Sequence, residues 1–175
     1  AIVNASGIEA LVNVLNDNNG TAKAKEQAVA AFSLLATNPE NQIAIVKADG
    51  IGALLKVLRF ANYMNITDKT KEEVVVALSL LATNPENQIT IANQGGIEIL
   101  VYVLDHINVT DKTKEKVVIA LLFLATNPKN QISIVKEDRI RALVNVLKHI
   151  NGTAKEKEQA SVALSLLATN AENQK

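Results

Sequence analysis

One short string recurs four times in this chain, and that recurrence limits what it can fold into more than any other feature. LATNPENQ at residues 35–42 returns unchanged at 81–88, as LATNPKNQ at 124–131 and as LATNAENQ at 167–174. A second string precedes each copy: IEALVNVL from Ile8, IGALLKVL from Ile51, IEILVYVL from Ile97 and IRALVNVL from Ile140. The spacing is about 43 residues, with about three extra in the second unit, a period typical of stacked helical repeats. No single unit of that size buries its own apolar faces, so the units are expected to fold as one linear array.

Each unit reads as three helices. A short first helix opens at Asn38, Asn84, Asn127 or Asn170, with Asn as N-cap. Pro follows in the first three, at the position where its missing N–H costs nothing. This helix breaks at Asp49-Gly50 or Gly95-Gly96, and a second follows, such as 51–59, with Leu54, Leu55, Val57 and Leu58 crowding one side. Arg139 stands where a Gly is expected, so that junction needs either negative φ or strain. A polar loop then leads to a long third helix. Thr70 with Glu73 and Thr153 with Glu156 have capping-box spacing at its start. The third helix is apolar almost all round from Ala28 to Ala36 and from Val74 to Ala82, which requires cover on most sides. The units run approximately 1–38, 39–84, 85–127 and 128–170, followed by the start of another first helix.

The composition excludes several function classes. Hydrophobic residues make up 48% and charged residues 21%, which suits a packed fold rather than disorder. Aromatics are only 3%, so the core is built from Leu, Ile, Val and Ala. Net charge is zero and no basic stretch stands out, which argues against nucleic acid as a partner. No run reaches membrane-spanning length, and with no cysteine there are neither disulfides nor Cys-ligated zinc. A cytosolic or nuclear setting fits. The sequence has no zinc motif, nucleophile elbow or phosphate loop, and His106 and His149 lie a repeat apart at equivalent helix ends. No cofactor and no enzyme activity are expected.

Short helix, Gly break, the string G-I-x-A-L-V-x-V-L, polar loop and E-Q-A-x-x-A-L-S-x-L-A together resemble the armadillo repeat of importin-alpha and beta-catenin, over essentially the whole chain. The resemblance implies an all-α right-handed superhelix with third helices lining a concave face. It also implies a groove that holds a protein or peptide. In peptide-binding members that face carries a Trp and, four residues later, an Asn that hydrogen-bonds peptide main chain. Here the Trp position falls on Ala30, Val76, Ile119 and Val162, and the Asn position on Leu34, Leu80, Phe123 and Leu166. Neither signature residue occurs, and two apolar rows replace the ladder. Such rows suit the apolar side of an amphipathic helix better than an extended strand. They either form an exposed trough for an apolar or helical segment or are buried between neighbouring third helices. The exposure of Leu80 and Phe123 decides between these.

Lys and Glu recur at the start of each third helix: Lys25/Glu26, Lys71/Glu72, Lys114/Glu115 and Lys157/Glu158. They are expected to form a charged rim that keeps the surface soluble or steers a partner. The extra residues of the second unit lie in RFANYMNIT, where either a longer second helix packs Phe60 against its neighbours or Phe60, Tyr63 and Met64 form an aromatic contact site, the first being favoured. N-x-Ser/Thr sequons at Asn4, Asn19, Asn65, Asn108 and Asn151 read mostly as one repeated loop design, with Asn making the turn and Thr capping the next helix. Ser161, in place of the inner Val75 and Val118, hints at a more polar outer face, yet enough apolar area remains for homo-oligomers through the groove or the ends. The close likeness of the units points to recent duplication or to a repeat idealised by design. An engineered or self-associating module without a natural ligand is therefore the alternative to a binding scaffold.

Overall fold

The computed structural model of the chain describes residues 6–135, 140–141, 144–145 and 154–169. Its helices are α1 (Gly7–Asn16), α2 (Ala22–Leu35), α3 (Pro39–Lys47), α4 (Gly50–Arg59), α5 (Asp68–Leu81), α6 (Pro85–Asn93), α7 (Gly96–His106), α8 (Asp111–Ala125), α9 (Pro128–Ile134) and α10 (Ala154–Ala168). Among the described residues there is no strand. The fold is all-α, and like helices stack in files. The long helices α2, α5, α8 and α10 pack in succession, α1, α4 and α7 form a second file, and α6 packs on α9. No described helix is long and apolar enough to cross a membrane.

Local chemistry sets the helix boundaries. Asn38 Oδ1 accepts from Glu40 N at 2.8 Å, Asn84 Oδ1 from Glu86 N at 3.0 Å and Asn127 Oδ1 from Lys129 N at 3.0 Å. Pro39, Pro85 and Pro128 follow as first helical residues. The break between short and second helix is a left-handed residue, Asp49 at φ 58° or Gly95 at φ 79°. The residue after it has no room for a side chain. A Cβ on Gly50 would lie 2.6 Å from Ile45 Cγ2, and one on Gly96 would lie 2.4 Å from Ile91 Cγ2. Arg139, Asn170 and His149 lie outside the described residues.

The sequon threonines cap the long helices. Thr21, Thr67 and Thr110 each accept from the backbone N–H three residues on, at 3.2 Å. The second unit thus corrects the capping expected at Thr70: α5 begins at Asp68, and Thr70 is a buried residue inside it whose hydroxyl meets that of Thr67. Thr153, equivalent to Thr67, lies outside the described residues.

The insertion is also corrected. The second helix of that unit is not lengthened, because α4 stops at Arg59 and Phe60 is its C-cap. Residues 61–65 turn instead, with Tyr63 N and Met64 N both bonded to Phe60 O at 2.9 Å and Asn65 at φ 48°. Ala61 and Ile66 are buried, while Phe60 and Tyr63 face solvent.

The core lies between the files. Within α5, Val74, Val75, Ala77, Leu78 and Leu81 are buried, and α8 repeats the pattern at Val117, Val118, Ala120, Leu121 and Leu124. Each buried Leu or Val contributes about 1.5–3 kcal/mol relative to exposure. A polar ladder closes the lower end of these helices. Asn41 Nδ2, Asn87 Nδ2 and Asn130 Nδ2 donate to Leu35 O, Leu81 O and Leu124 O at 3.1–3.2 Å. Gln42 Nε2, Gln88 Nε2 and Gln131 Nε2 donate to Ala36 O, Ala82 O and Ala125 O at 2.8–2.9 Å. These end carbonyls have no partner within their own helix. Leu35 O, Leu81 O and Leu124 O also accept from Asn38 N, Asn84 N and Asn127 N, so the recurring Asn-Gln side chains add a second donor there and supply one to the Ala carbonyls. The ladder also crosses units. Gln42 Nε2 reaches Leu80 O at 3.2 Å, Gln88 Nε2 reaches Thr126 Oγ1 at 3.1 Å and Asn130 Nδ2 reaches Gln88 O at 3.1 Å.

Candidate functional site

The long helices bring the two apolar rows to one side, since residues four apart share a helix face. Leu34 is 74% exposed and Val162 45% exposed. Ala30, Val76, Leu80, Ile119, Phe123 and Leu166 are half-buried. Neither Leu80 nor Phe123 is fully buried; both lean on the core with one side and leave the other open. Their flanking residues differ sharply. Ala77, Leu78 and Leu81 beside Leu80, and Ala120, Leu121 and Leu124 beside Phe123, are each at most 1% exposed. On the inner long helices α5 and α8 the row therefore stays partly open beside neighbours that are fully enclosed.

Threonine hydroxyls run along the foot of this strip. Thr37 Oγ1, Thr83 Oγ1 and Thr126 Oγ1 donate to Leu34 O, Leu80 O and Phe123 O at 2.6–2.7 Å, and Thr169 Oγ1 does the same to Leu166 O. These bonds satisfy the last-turn carbonyls beside the row, so the main chain there is already occupied.

The Lys/Glu positions do not form a uniform charged rim. Lys25 is buried: its ammonium donates to Val14 O at 3.3 Å, Leu15 O at 3.2 Å and Asp17 O, closing the end of α1. Burial pushes the Lys25 ammonium below the ordinary lysine value, and the Asp17 carboxylate offsets part of that. Lys71 is buried too and donates to Asp68 Oδ1 at 2.9 Å and to Asn108 O of the following unit at 3.2 Å. Neither is placed to steer a partner, because both ammonium groups are engaged by the protein's own acceptors. Lys114 is half-buried and lies 3.7 Å from Asp111. Only Lys157 and Glu158 are exposed as a pair.

The glutamates join units. Glu26 Oε1 accepts from Thr67 N at 3.0 Å, and Glu72 pairs with Lys112 at 2.8 Å. The Thr67 N–H holds the Glu26 carboxyl below the ordinary glutamate range, and the hydrogen bond that Lys112 donates to Glu72 raises Lys112 above the ordinary lysine value. Glu115 occupies the same place in the third unit and is half-buried.

Two shallow depressions on the α4–α7 side were not foreseen. One of about 310 Å³ lies against Asp49, Arg59, Phe60 and Gln94, and a neighbour of about 390 Å³ against Arg59, Glu98 and Tyr102. Gln94 Nε2 donates to Asp49 Oδ1 at 2.9 Å across the first, and the Tyr102 ring stacks on His106 at 4.6 Å. The aromatic cluster RFANYM was the available signal for this patch. A helical reading of the insertion folds Phe60 inward, whereas the turn leaves it out. Among the described residues no group of three His, Asp or Glu side chains is arranged to hold a metal ion.

No family model matches the chain, and no curated protein matches it in sequence. In shape it is similar to an engineered protein of known crystal structure, at TM-score 0.76 and 25% identity, over 93% of this chain and 63% of that one. The chain thus spans less than two thirds of that protein's length, and an all-α repeat fold of this kind is one that an engineered sequence also adopts.

Proposed function

We propose that the chain is a non-enzymatic interaction scaffold of armadillo type, and that it binds an apolar or helical protein segment along the file of long helices. One observation carries the reading: Leu34, Leu80, Phe123 and Leu166, at one position of successive long helices, all keep apolar surface open, and on the inner helices they do so beside fully buried neighbours. Contiguous apolar surface of this kind is a feature of interaction sites. Four successive long helices present these side chains at a repeating interval of about 8–10 Å, which matches an amphipathic partner with anchors about two turns apart. The carbonyls at the foot of the row are already bonded to threonines, so recognition rests on side-chain packing rather than main-chain pairing.

A display library of amphipathic helical peptides tests this directly. Enriched peptides are expected to carry apolar residues at helical spacing. Their affinity is expected to fall about tenfold or more for Leu34→Ser combined with Phe123→Ser, a loss of one or two buried anchors. The melting curve of the variant should stay close to that of the parent, because Leu34 is largely exposed and Phe123 half-buried. Enrichment without apolar periodicity, or affinity indifferent to the double variant, would rule out the row as the site.

The likeness to an engineered protein favours a second reading, an engineered or self-associating repeat module with no natural ligand. On that reading the same library returns no enriched class.

A further inference from the structure

Of the four units, the third departs from the others beside the open row. Phe123 stands where the other units have Leu34, Leu80 and Leu166. Two turns before it on α8, Lys116 takes the place of Gln27, Glu73 and Gln159. Just past the foot of the row, Lys129 takes the place of Glu40, Glu86 and Glu172, so no other unit has a cation at either place. Seven residues are close to two helical turns, so Lys116 lies on the face that carries Ile119 and Phe123, about 10 Å along the helix from the latter.

The charges around Lys116 are already engaged. Glu73, at the equivalent place on α5, is paired with Lys69 at 3.7 Å, and Gln27 on α2 is neutral. Lys112 is held by Glu72 at 2.8 Å, and Lys114 lies 3.7 Å from Asp111. Lys116 itself is half-buried, and among the described residues its ammonium group has no hydrogen bond or ion pair. It has lost part of its hydration with no anion of this chain to offset the loss. Lys129 is exposed just past the C-terminal end of α8, so Phe123 has a lysine on each side along the chain.

We propose that Lys116 sets the specificity of the row by pairing with an acidic side chain of the bound amphipathic helix, beside the apolar anchor that seats on Phe123. This role rests on the row being the binding site proposed above. Charge defines the occupant: a helix with an Asp or Glu on the flank turned toward the N-terminal ends of the long helices. A helix with its side chains has a radius of about 5–6 Å, so that flank comes within reach of a lysine rooted about 10 Å from Phe123. Shifting the partner by one unit brings the same acidic residue against Glu73, which repels it. Lys116 therefore selects register as well as composition.

Peptides enriched from the amphipathic-helix library, measured by fluorescence anisotropy, test this. The anchor over the third unit is the one whose replacement by Ala no longer matters in Phe123→Ser. Enriched peptides are expected to carry Asp or Glu beside it, and changing that residue to its amide should weaken binding about three- to tenfold. In Lys116→Gln the same peptide change should have little effect, and in Lys116→Glu selection should turn to Lys or Arg at that place. Both variants should melt like the parent, since Lys116 has no partner to lose. Should either unfold, the parent alone still decides: its preference for the acidic peptide must shrink as salt is raised. Peptides with apolar periodicity but no acidic preference overturn the proposal and leave the row standing as a binding site. So does a preference that survives in Lys116→Gln or is indifferent to salt. Peptides whose affinity ignores Leu34→Ser combined with Phe123→Ser overturn the row, and the proposal with it.

Discussion

The two ends of the long helices repeat to different degrees: the Asn-Gln contacts recur unit after unit at the C-terminal end, whereas at the N-terminal end the threonine cap recurs and the lysine contacts do not. At the C-terminal end, Asn41, Asn87 and Asn130 bond the same carbonyl six residues back, and Gln42, Gln88 and Gln131 do likewise. At the N-terminal end, three lysines at one repeat position do three different things. Lys25 closes the end of its own α1, Lys71 bonds Asp68 and the next unit's Asn108 O, and Lys114 only approaches Asp111. The difference lies in what connects donor to acceptor. The Asn-Gln contacts span the same Ala-Thr-Asn stretch in every unit, whereas Lys71 and Lys114 meet an Asp three residues earlier on their own helix and Lys25, with Ala22 at that place, bonds back to α1 instead. A repeated residue gives a repeated contact only where its partner is repeated too.

That comparison predicts an order of effects. Gln88→Leu should be the most damaging of the polar changes, because it leaves Ala82 O without its side-chain donor in a buried site and removes the bond to Thr126. A loss of about 1–3 kcal/mol is expected in urea denaturation. A loss well below that range would mean the ladder is ornamental and the apolar files alone hold units together.

The lysine positions should separate next. Lys25→Ala strips the donor from the carbonyls at the end of α1 and should cost about 1–2 kcal/mol. Lys114→Ala, with only a long contact to a mostly exposed Asp111, should stay within about 0.5 kcal/mol of the parent. Equal losses at both would break the contrast between the two helix ends.

The smallest effect concerns pH. The Glu26 carboxyl is held below its ordinary value by the Thr67 N–H, so the folded state favours its ionised form. Its contribution is present above the unfolded glutamate value and is lost as pH falls through the lower folded value. The stability gap between the parent and Glu26→Gln should therefore be widest near neutrality and narrow on acidification. A gap that widens toward acid would show that the Thr67 contact does not favour the carboxylate.

Much of this fold was legible along the chain because its signals act over a few residues. Asn before Pro, Thr three residues ahead of the N–H it caps, and the left-handed residue before Gly50 or Gly96 are each fixed by local sterics and hydrogen bonding. The misplaced features share a different cause. Thr70 fits a capping pattern as well as Thr67 does, and only the extra turn at 61–65 decides which residue starts α5. Phe60 reads as a residue that could continue a helix, and its exposure depends on where that turn sends the chain. Lys25 and Lys71 read as solvated charges because no sequence pattern reveals the carbonyls that the folded loops aim at them.

By itself the sequence determined the repeat, the all-helical units, their caps and breaks, and which residues share the open row. The tertiary structure alone decided how far that row is covered, and that the recurring Asn-Gln pair caps the preceding long helix and reaches the next unit. The physical reason is range. Caps and turns are settled by neighbours three or four positions away, but burial on a long helix is settled by a unit roughly one repeat distant, and one repeat cannot tell from its own residues whether a neighbour stands on either side of it.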